Sequence, residues 1–89
     1  MEIKYYPHVL KRDIPYLSSL IKERIGYAII RKLRSDPFLF GEPLHGILKP
    51  HWKLRIGDYR VIYKIVKTEV HIIAIGHRKE IYKLLENRL

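Results

Sequence analysis

The chain has 89 residues, of which 18 are Lys or Arg and 9 are Asp or Glu, giving a formal net charge of +9 at pH 7. This length predicts a single domain over residues 1–89, with a modest core and no room for a deep, walled cofactor cavity. The absence of cysteine excludes disulfides and thiolate chemistry. The excess of positive charge favours an anionic partner such as nucleic acid, a ribosome or an acidic protein.

The first half of the chain predicts one short strand and two helices. Residues 2–6 alternate as a half-buried strand does, and residues 8–14 have helical spacing that stops at a proline. Ser18 or Ser19 suits the N-cap of a longer helix, which ends before Pro37. The apolar stripe of that helix consists of Leu17, Leu20, Ile21, Ile25, Ala28, Ile29 and Leu33.

Residues 52–63 have the pattern of a β-hairpin, preceded by a Gly- and Pro-rich stretch, residues 38–50, that predicts a loop. Two alternating runs flank Gly57 and Asp58, and both of these residues favour turns. The polar face of the hairpin carries four basic residues and no acid: Lys53, Arg55, Arg60 and Lys64. Like charges on neighbouring strands destabilise a sheet, so we expect a polyanion to bind this face.

The end of the chain predicts a buried strand and a last helix. Residues 70–76 form a nearly continuous apolar run, as in a central strand covered on both faces. Residues 79–88 have helical spacing. The predicted order is β-α-α-β-β-β-α, an α+β fold in which helices pack on one face of a small, mostly antiparallel sheet.

The chemistry open to this sequence is narrow. It has no Gly-rich phosphate loop and no His, Asp or Glu spacing that matches a known metal motif, so we expect neither a metal nor a cofactor. Lys, Arg, His and Tyr remain, and these suffice for RNA cleavage by the substrate's own 2′-hydroxyl. No segment resembles a signal peptide or a membrane span, so we expect a cytoplasmic protein without a membrane partner.

Each candidate residue also has a purely structural interpretation. The basic residues of the hairpin would form a solvated sheet face, and His77 would bond the backbone in a turn. Tyr82 would be half-buried on the last helix, and Trp52 would belong to the core. The interpretation as a site rests on the candidates taken together, because they come from separate segments that this topology can bring close.

Two segments of the chain closely resemble the RelE/ParE superfamily of bacterial and archaeal toxins, and the match is on the RelE side. The first segment is residues 52–64, Trp-Lys-Leu-Arg-Ile-Gly-Asp-Tyr-Arg-Val-Ile-Tyr-Lys, and the second is residues 76–82, Gly-His-Arg-Lys-Glu-Ile-Tyr. The resemblance covers nearly the whole chain in length and element order. It implies a toxin that cuts mRNA in the ribosomal A site without metal and that a cognate antitoxin silences. The ribosome, mRNA and an acidic antitoxin are the partners that follow from it.

The resemblance also implies roles for individual residues. Lys53 matches a lysine used in proton transfer or phosphate stabilisation, and Arg60 and Arg78 match arginines that hold the phosphate. Tyr82 matches a tyrosine that stacks on or activates the RNA, and His77 lies where several relatives carry a basic or proton-transferring residue. The further basic residues expected to contact RNA are Arg55, Lys64 and Lys79.

One position departs from the family pattern. The most active members carry another lysine two positions before Lys53, where this chain has His51. The identity of the general base therefore stays open, with His51 as a candidate at neutral pH. Two alternatives to a nuclease also stay open: a ParE-like inhibitor of DNA gyrase, and a catalytically degenerate member that only binds RNA or antitoxin.

Overall fold

A computed structural model describes residues 1–89 and contains one five-stranded sheet. The strands lie in the order β1-β5-β4-β3-β2, with β1 parallel to β5 and every other neighbouring pair antiparallel. This confirms the predicted α+β class and the mostly antiparallel sheet. The strands are β1 (Glu2–Tyr5), β2 (Glu42–Pro43), β3 (Trp52–Ile56), β4 (Tyr59–Val66) and β5 (Glu69–His77).

Three α-helices and several tighter or wider helical turns complete the fold. The hydroxyl of Ser18 caps the first helix by accepting from the N–H of Ile21 at 3.3 Å. None of the helices combines the length and apolar character needed to cross a membrane. The helices are α1 (Ser19–Ala28), α2 (Pro37–Phe40) and α3 (Ile81–Arg88), with π-helical turns at Val9–Asp13 and Ile29–Leu33 and 3₁₀ turns at Ile14–Tyr16 and Gly46–Leu48.

The stretch predicted as a loop contains two short regular elements, α2 and β2. The Asp36 carboxylate caps α2 by accepting from the N–H groups of Phe38 and Leu39, and Pro37 occupies the first turn. Strand β2 then adds two residues to the edge of β3. Elements this short leave no periodic pattern, which is why the sequence predicted only a loop.

The sheet is covered on both faces, which corrects the prediction that all helices share one face. The α1 face, packed against α1 and its π-helical extension, includes Leu54, Val61 and Tyr63. The α3 face includes Ile62, Ile73 and Ala74, and α3 covers it with Ile81 and Leu85. Strands β4 and β5 carry apolar side chains on both faces of the sheet, so a helix is needed on the α3 face as well as on the α1 face.

Tyr63 holds the segment before β3, at Pro37 and Gly41, against the sheet. Its side chain is fully buried, and its hydroxyl donates to the carbonyl of Pro37 at 2.7 Å. A Cβ at Gly41 would lie 1.6 Å from that hydroxyl oxygen, so only glycine fits there. The Trp52 ring stacks on Tyr63 with centroids 6.4 Å apart. These contacts hold the start of β3, and with it the basic face, in place.

Candidate active site

Lys53 and Tyr82 form the centre of the candidate site. Lys53 alternates with Trp52 and Leu54, which pack on the α1 face, so its side chain lies on the α3 face. There Lys53 Nζ lies 3.4 Å from the Tyr82 hydroxyl and 6.0 Å from the centre of its ring. Both side chains are half-buried. The fold thus joins an ammonium from β3 to a phenol from the first turn of α3.

Two arginines face each other on the neighbouring strands of the same face. Arg55 and Arg60 are direct partners in the β3–β4 register, which confirms the predicted hairpin. Arg55 is exposed, whereas Arg60 is only 7% exposed. Arg60 Nη1 donates to the carbonyls of Gly57 and Tyr59, at 2.9 Å each, so its guanidinium closes the hairpin turn.

Arg78 lies where β5 ends, beside the same turn. Its N–H donates to the carbonyl of Asp58 at 2.7 Å, and its Nε is 3.7 Å from the Asp58 carboxylate. The Arg78 side chain is 56% exposed, so a ligand can reach it. Lys79, the next residue, is exposed as well. The sequence predicted a turn at Asp58 but not its ion pair. A single acid within a basic hairpin was the feature of the sequence that indicated such a pair.

His51 lies immediately before β3 and is 7% exposed. Its Nδ1 is 2.8 Å from the carbonyl of Leu48. Because a carbonyl can only accept, Nδ1 carries the proton and Nε2 of the neutral ring keeps a free lone pair. His51 therefore has the tautomer that a base needs.

His77 belongs to the other face of the sheet. It is the register partner of Tyr59, and their rings meet edge to face with centroids 5.5 Å apart. Tyr59 packs on the α1 face. The Nδ1 of His77 accepts from the N–H of Lys79 at 3.2 Å. His77 thus bonds the backbone of the turn after β5, and the fold does not bring it to Lys53 and Tyr82.

Lys64 lies at the far end of the α3 face. Its Nζ is 5.7 Å from the centre of the Tyr6 ring, and it pairs in register with His71. His71 Nε2 and Glu69 Oε1 are 3.0 Å apart, and this contact lowers the pKa of the Glu69 carboxyl. Lys64 therefore sits in a mixed-charge surface cluster, separate from the Lys53–Tyr82 pair.

The basic face of the hairpin, together with Tyr82 and Arg78, can bind a phosphodiester and stabilise negative charge. An ammonium and a phenol lie together, and the exposed Arg78 and Arg55 offer guanidinium forks that match phosphate oxygens. No three His, Asp or Glu side chains come together as a metal-binding group.

The sequence and fold match known toxins. Residues 6–82 match the family described as "ParE toxin of type II toxin-antitoxin system, parDE". Toxin RelG of Mycobacterium tuberculosis is 31% identical over 75 residues, which cover 82% of this chain and 86% of RelG.

Solved structures of toxins share the fold. The toxin–antitoxin complex RelBE2 from Mycobacterium tuberculosis contains a chain that superposes with a TM-score of 0.80 at 26% identity, covering 86% of this chain and 96% of that one. The isolated RelE toxin of E. coli gives a TM-score of 0.72 at 20% identity, over 85% of this chain and 82% of RelE. A chain of the RelB–RelE complex from Methanococcus jannaschii gives 0.71 at 19% identity, over 91% and 96% of the two chains.

Proposed function

This chain belongs to the RelE/ParE superfamily of toxins of type II toxin–antitoxin systems, and from that membership we propose that it is a metal-independent endoribonuclease that cuts mRNA in the ribosomal A site. The observation that carries the proposal is the contact between Lys53 and Tyr82 on a sheet face that also bears Arg55 and Arg60.

The reaction uses the substrate's own nucleophile. A base takes the proton of the 2′-hydroxyl, and the 2′-oxygen attacks the adjacent phosphorus. The bond from phosphorus to the 5′-oxygen breaks, and that oxygen receives a proton from a general acid. The products are a 2′,3′-cyclic phosphate and a 5′-hydroxyl. Negative charge grows on the phosphate oxygens, so preorganised cations lower the barrier.

The residues of the basic face suit these steps. Lys53 stabilises the charge developing on the phosphate, and the exposed guanidinium of Arg78 holds a non-bridging oxygen. Tyr82 stacks on a neighbouring base and orients the RNA. His51 Nε2, free to accept a proton because Nδ1 is bonded to Leu48, is the candidate for the base. Arg60 contributes partly by keeping the hairpin turn closed through its hydrogen bonds to Gly57 and Tyr59.

The proposed partner in the resting state is an acidic antitoxin. The relatives from Mycobacterium tuberculosis and Methanococcus jannaschii were solved as toxin–antitoxin complexes. The net charge of +9 favours an acidic partner, and large apolar side chains stay exposed on this chain. An antitoxin segment lying over the basic face and α3 would neutralise this charge and block the Lys53–Tyr82 pair.

The test is single-turnover cleavage of mRNA in programmed ribosomes, with ribosome affinity measured on the same variants. Lys53→Met removes a cation from the charge-developing phosphate, so we expect cleavage to slow by roughly 10²- to 10³-fold while affinity changes much less. The matched control is Lys22→Met, which removes the same charge from the exposed side of α1. Wild-type cleavage should leave a 2′,3′-cyclic phosphate and a 5′-hydroxyl, the products of attack by the substrate's own 2′-hydroxyl.

Gyrase inhibition is the second candidate, favoured by the ParE description of the matching family. A DNA supercoiling assay with purified gyrase separates the two functions. Inhibition of gyrase without any cleavage of ribosome-bound mRNA would replace the nuclease proposal. Loss of rate and affinity in equal proportion in Lys53→Met would reduce the site to a binding surface.

A further inference from the structure

A buried ion pair joins the last turn of α3 to the end of the π-helical turn Val9–Asp13. Arg88 Nη1 donates to Asp13 Oδ2 at 2.7 Å, and Arg88 Nη2 donates to Asp13 Oδ1 at 2.6 Å. The two side chains are 12% and 4% exposed. The contact is bidentate, so it fixes orientation as well as distance.

The same two side chains also bond the backbone of β5 along the part of its edge that β1 does not cover. Strand β1 pairs with β5 only as far as Tyr5 and Ile72. Beyond that point the N–H of Ile75 donates to Asp13 Oδ2 at 2.9 Å, and the carbonyl of Ile73 accepts from Arg88 Nη1 at 3.0 Å. The ion pair thus takes the place of a neighbouring strand. The Asp13 carboxylate accepts from the strand's N–H group, and the Arg88 guanidinium donates to its carbonyl.

Tyr82 depends on how α3 is seated. Tyr82 and Arg88 lie at opposite ends of this eight-residue helix, and the only side-chain hydrogen bond of Tyr82 is the 3.4 Å contact with Lys53. Ile81 and Leu85 attach the helix to the sheet through apolar contacts. Such contacts are non-directional, so they resist rotation and sliding less than a bidentate ion pair does.

We propose that Asp13 and Arg88 are positioning residues that set Tyr82 against Lys53 from the opposite end of α3. Buried ion pairs are often no better for stability than apolar residues of similar volume, so stability alone is a weak reason for this one. The bidentate pair does hold α3 in a single register on the sheet, and a role in orienting the helix follows from that property. The catalytic consequence rests on the proposed function, whereas the structural consequence does not.

Two conservative variants test the proposal without leaving the backbone groups unpaired. In Asp13→Asn the amide oxygen can still accept from Ile75, and in Arg88→Lys the ammonium can still donate to Ile73, but neither variant keeps the bidentate charged pair. Glu86→Gln, an exposed acid-to-amide change on α3, is the matched control. The readouts are urea unfolding, the ¹⁹F resonance of Tyr82 in protein labelled with 3-fluorotyrosine, and single-turnover cleavage. Tyr82→Phe identifies the resonance.

We expect both variants to remain folded, to shift the Tyr82 resonance, and to slow cleavage by roughly 10- to 100-fold with a smaller effect on ribosome affinity. Glu86→Gln should match wild type in all three readouts. An unmoved Tyr82 resonance in the folded variants would overturn the proposal, as would a rate that falls only with the folded fraction. If wild type shows no cleavage, the nuclease proposal fails, and the ¹⁹F comparison still decides whether the ion pair positions Tyr82.

Discussion

The guanidinium of Arg60 donates a 2.9 Å hydrogen bond to the carbonyl of Gly57, across the turn that joins β3 and β4. Gly57 has a positive φ of 58°, which glycine adopts without steric penalty. The bond makes Arg60 part of the hairpin as well as part of the basic face. A loss of activity after substitution of Arg60 therefore combines a lost charge with a disturbed turn.

We expect Arg60→Ala to lower the free energy of unfolding by about 1–3 kcal/mol, because the carbonyls of Gly57 and Tyr59 lose a charged donor in a mostly buried environment. Urea unfolding monitored by Trp52 fluorescence measures it. Arg55→Ala, on the exposed register partner, is the control and should change stability by less than about 0.5 kcal/mol. Equal stability of the two variants would contradict the structural role of Arg60.

Arg78→Ala separates phosphate binding from stability more cleanly. The side chain is 56% exposed and its ion pair with Asp58 spans 3.7 Å, so its removal should leave the unfolding midpoint nearly unchanged. Single-turnover cleavage should slow by roughly 10²- to 10³-fold, by analogy with lost oxyanion donors. Asp58→Asn removes the competing acid and keeps the guanidinium, so its cleavage rate should not fall. A slow Asp58→Asn variant would assign the effect to the turn.

The sequence predicted the centre of the fold well, because alternation on both sides of Gly57 and Asp58 determines which residues of β3 and β4 share a face. It failed on the layering. The apolar run of β5 indicated cover on both faces, but the position of α3 depends on contacts remote in sequence. The Asp13–Arg88 pair joins residues 75 positions apart, and no local pattern indicates such a partner.

The candidate site was predicted in part, for the same reason. The fold brings Lys53 and Tyr82, which come from separate segments, to within 3.4 Å of each other, and their roles stay predictions. His77 was expected near them, but the register with Tyr59 places it on the α1 face. A shift of one residue at the end of a strand reverses the face, and single-sequence patterns do not determine where β5 ends.

Binding to ribosomes should weaken steeply with salt if the basic face contacts phosphates. A plot of log affinity against log salt concentration should be linear, with a slope proportional to the number of phosphates contacted. Arg78→Ala should reduce that slope by about one, whereas Lys22→Met should leave it unchanged. Fluorescence anisotropy of labelled protein on 70S ribosomes, read between about 50 and 200 mM salt, provides the measurement. A flat wild-type plot would indicate an apolar protein interface instead.

Gly41→Ala should be strongly destabilising, because its Cβ would lie 1.6 Å from the hydroxyl oxygen of Tyr63. Overpacking of this kind costs about 1–3 kcal/mol or more, and the hydroxyl cannot retreat without losing Pro37. In the Tyr63→Phe background the hydroxyl oxygen is absent and only the ring carbon Cζ, 2.8 Å from the new Cβ, still collides. The double variant should therefore lose less than the sum of the single losses. Additive losses in a double-mutant cycle would show that the added Cβ does not displace the Tyr63 hydroxyl.

Alkaline pH should destabilise the protein through Tyr63. Burial, with a contribution from the charge of Asp36, raises the pKa of the Tyr63 hydroxyl well above the ordinary value of about 10. Above pH 10 the unfolded chain therefore releases this proton while the folded chain keeps it. The stability contributed by the protonated form is complete below that pH and declines as the pH rises toward the folded pKa, by up to about 1.4 kcal/mol per pH unit.

Urea unfolding of wild type and Tyr63→Phe between about pH 9 and pH 11 tests this linkage. Tyr63→Phe starts from a lower stability, because the carbonyl of Pro37 loses its donor, but its free energy should fall less steeply above pH 10. Some decline should remain, since burial also raises the pKa of the Tyr5 hydroxyl. Tyr16→Phe, at an exposed tyrosine, is the control and should follow wild type. Parallel pH profiles for Tyr63→Phe and wild type would mean that the Tyr63 hydroxyl ionises at the same pH in the folded and unfolded chains.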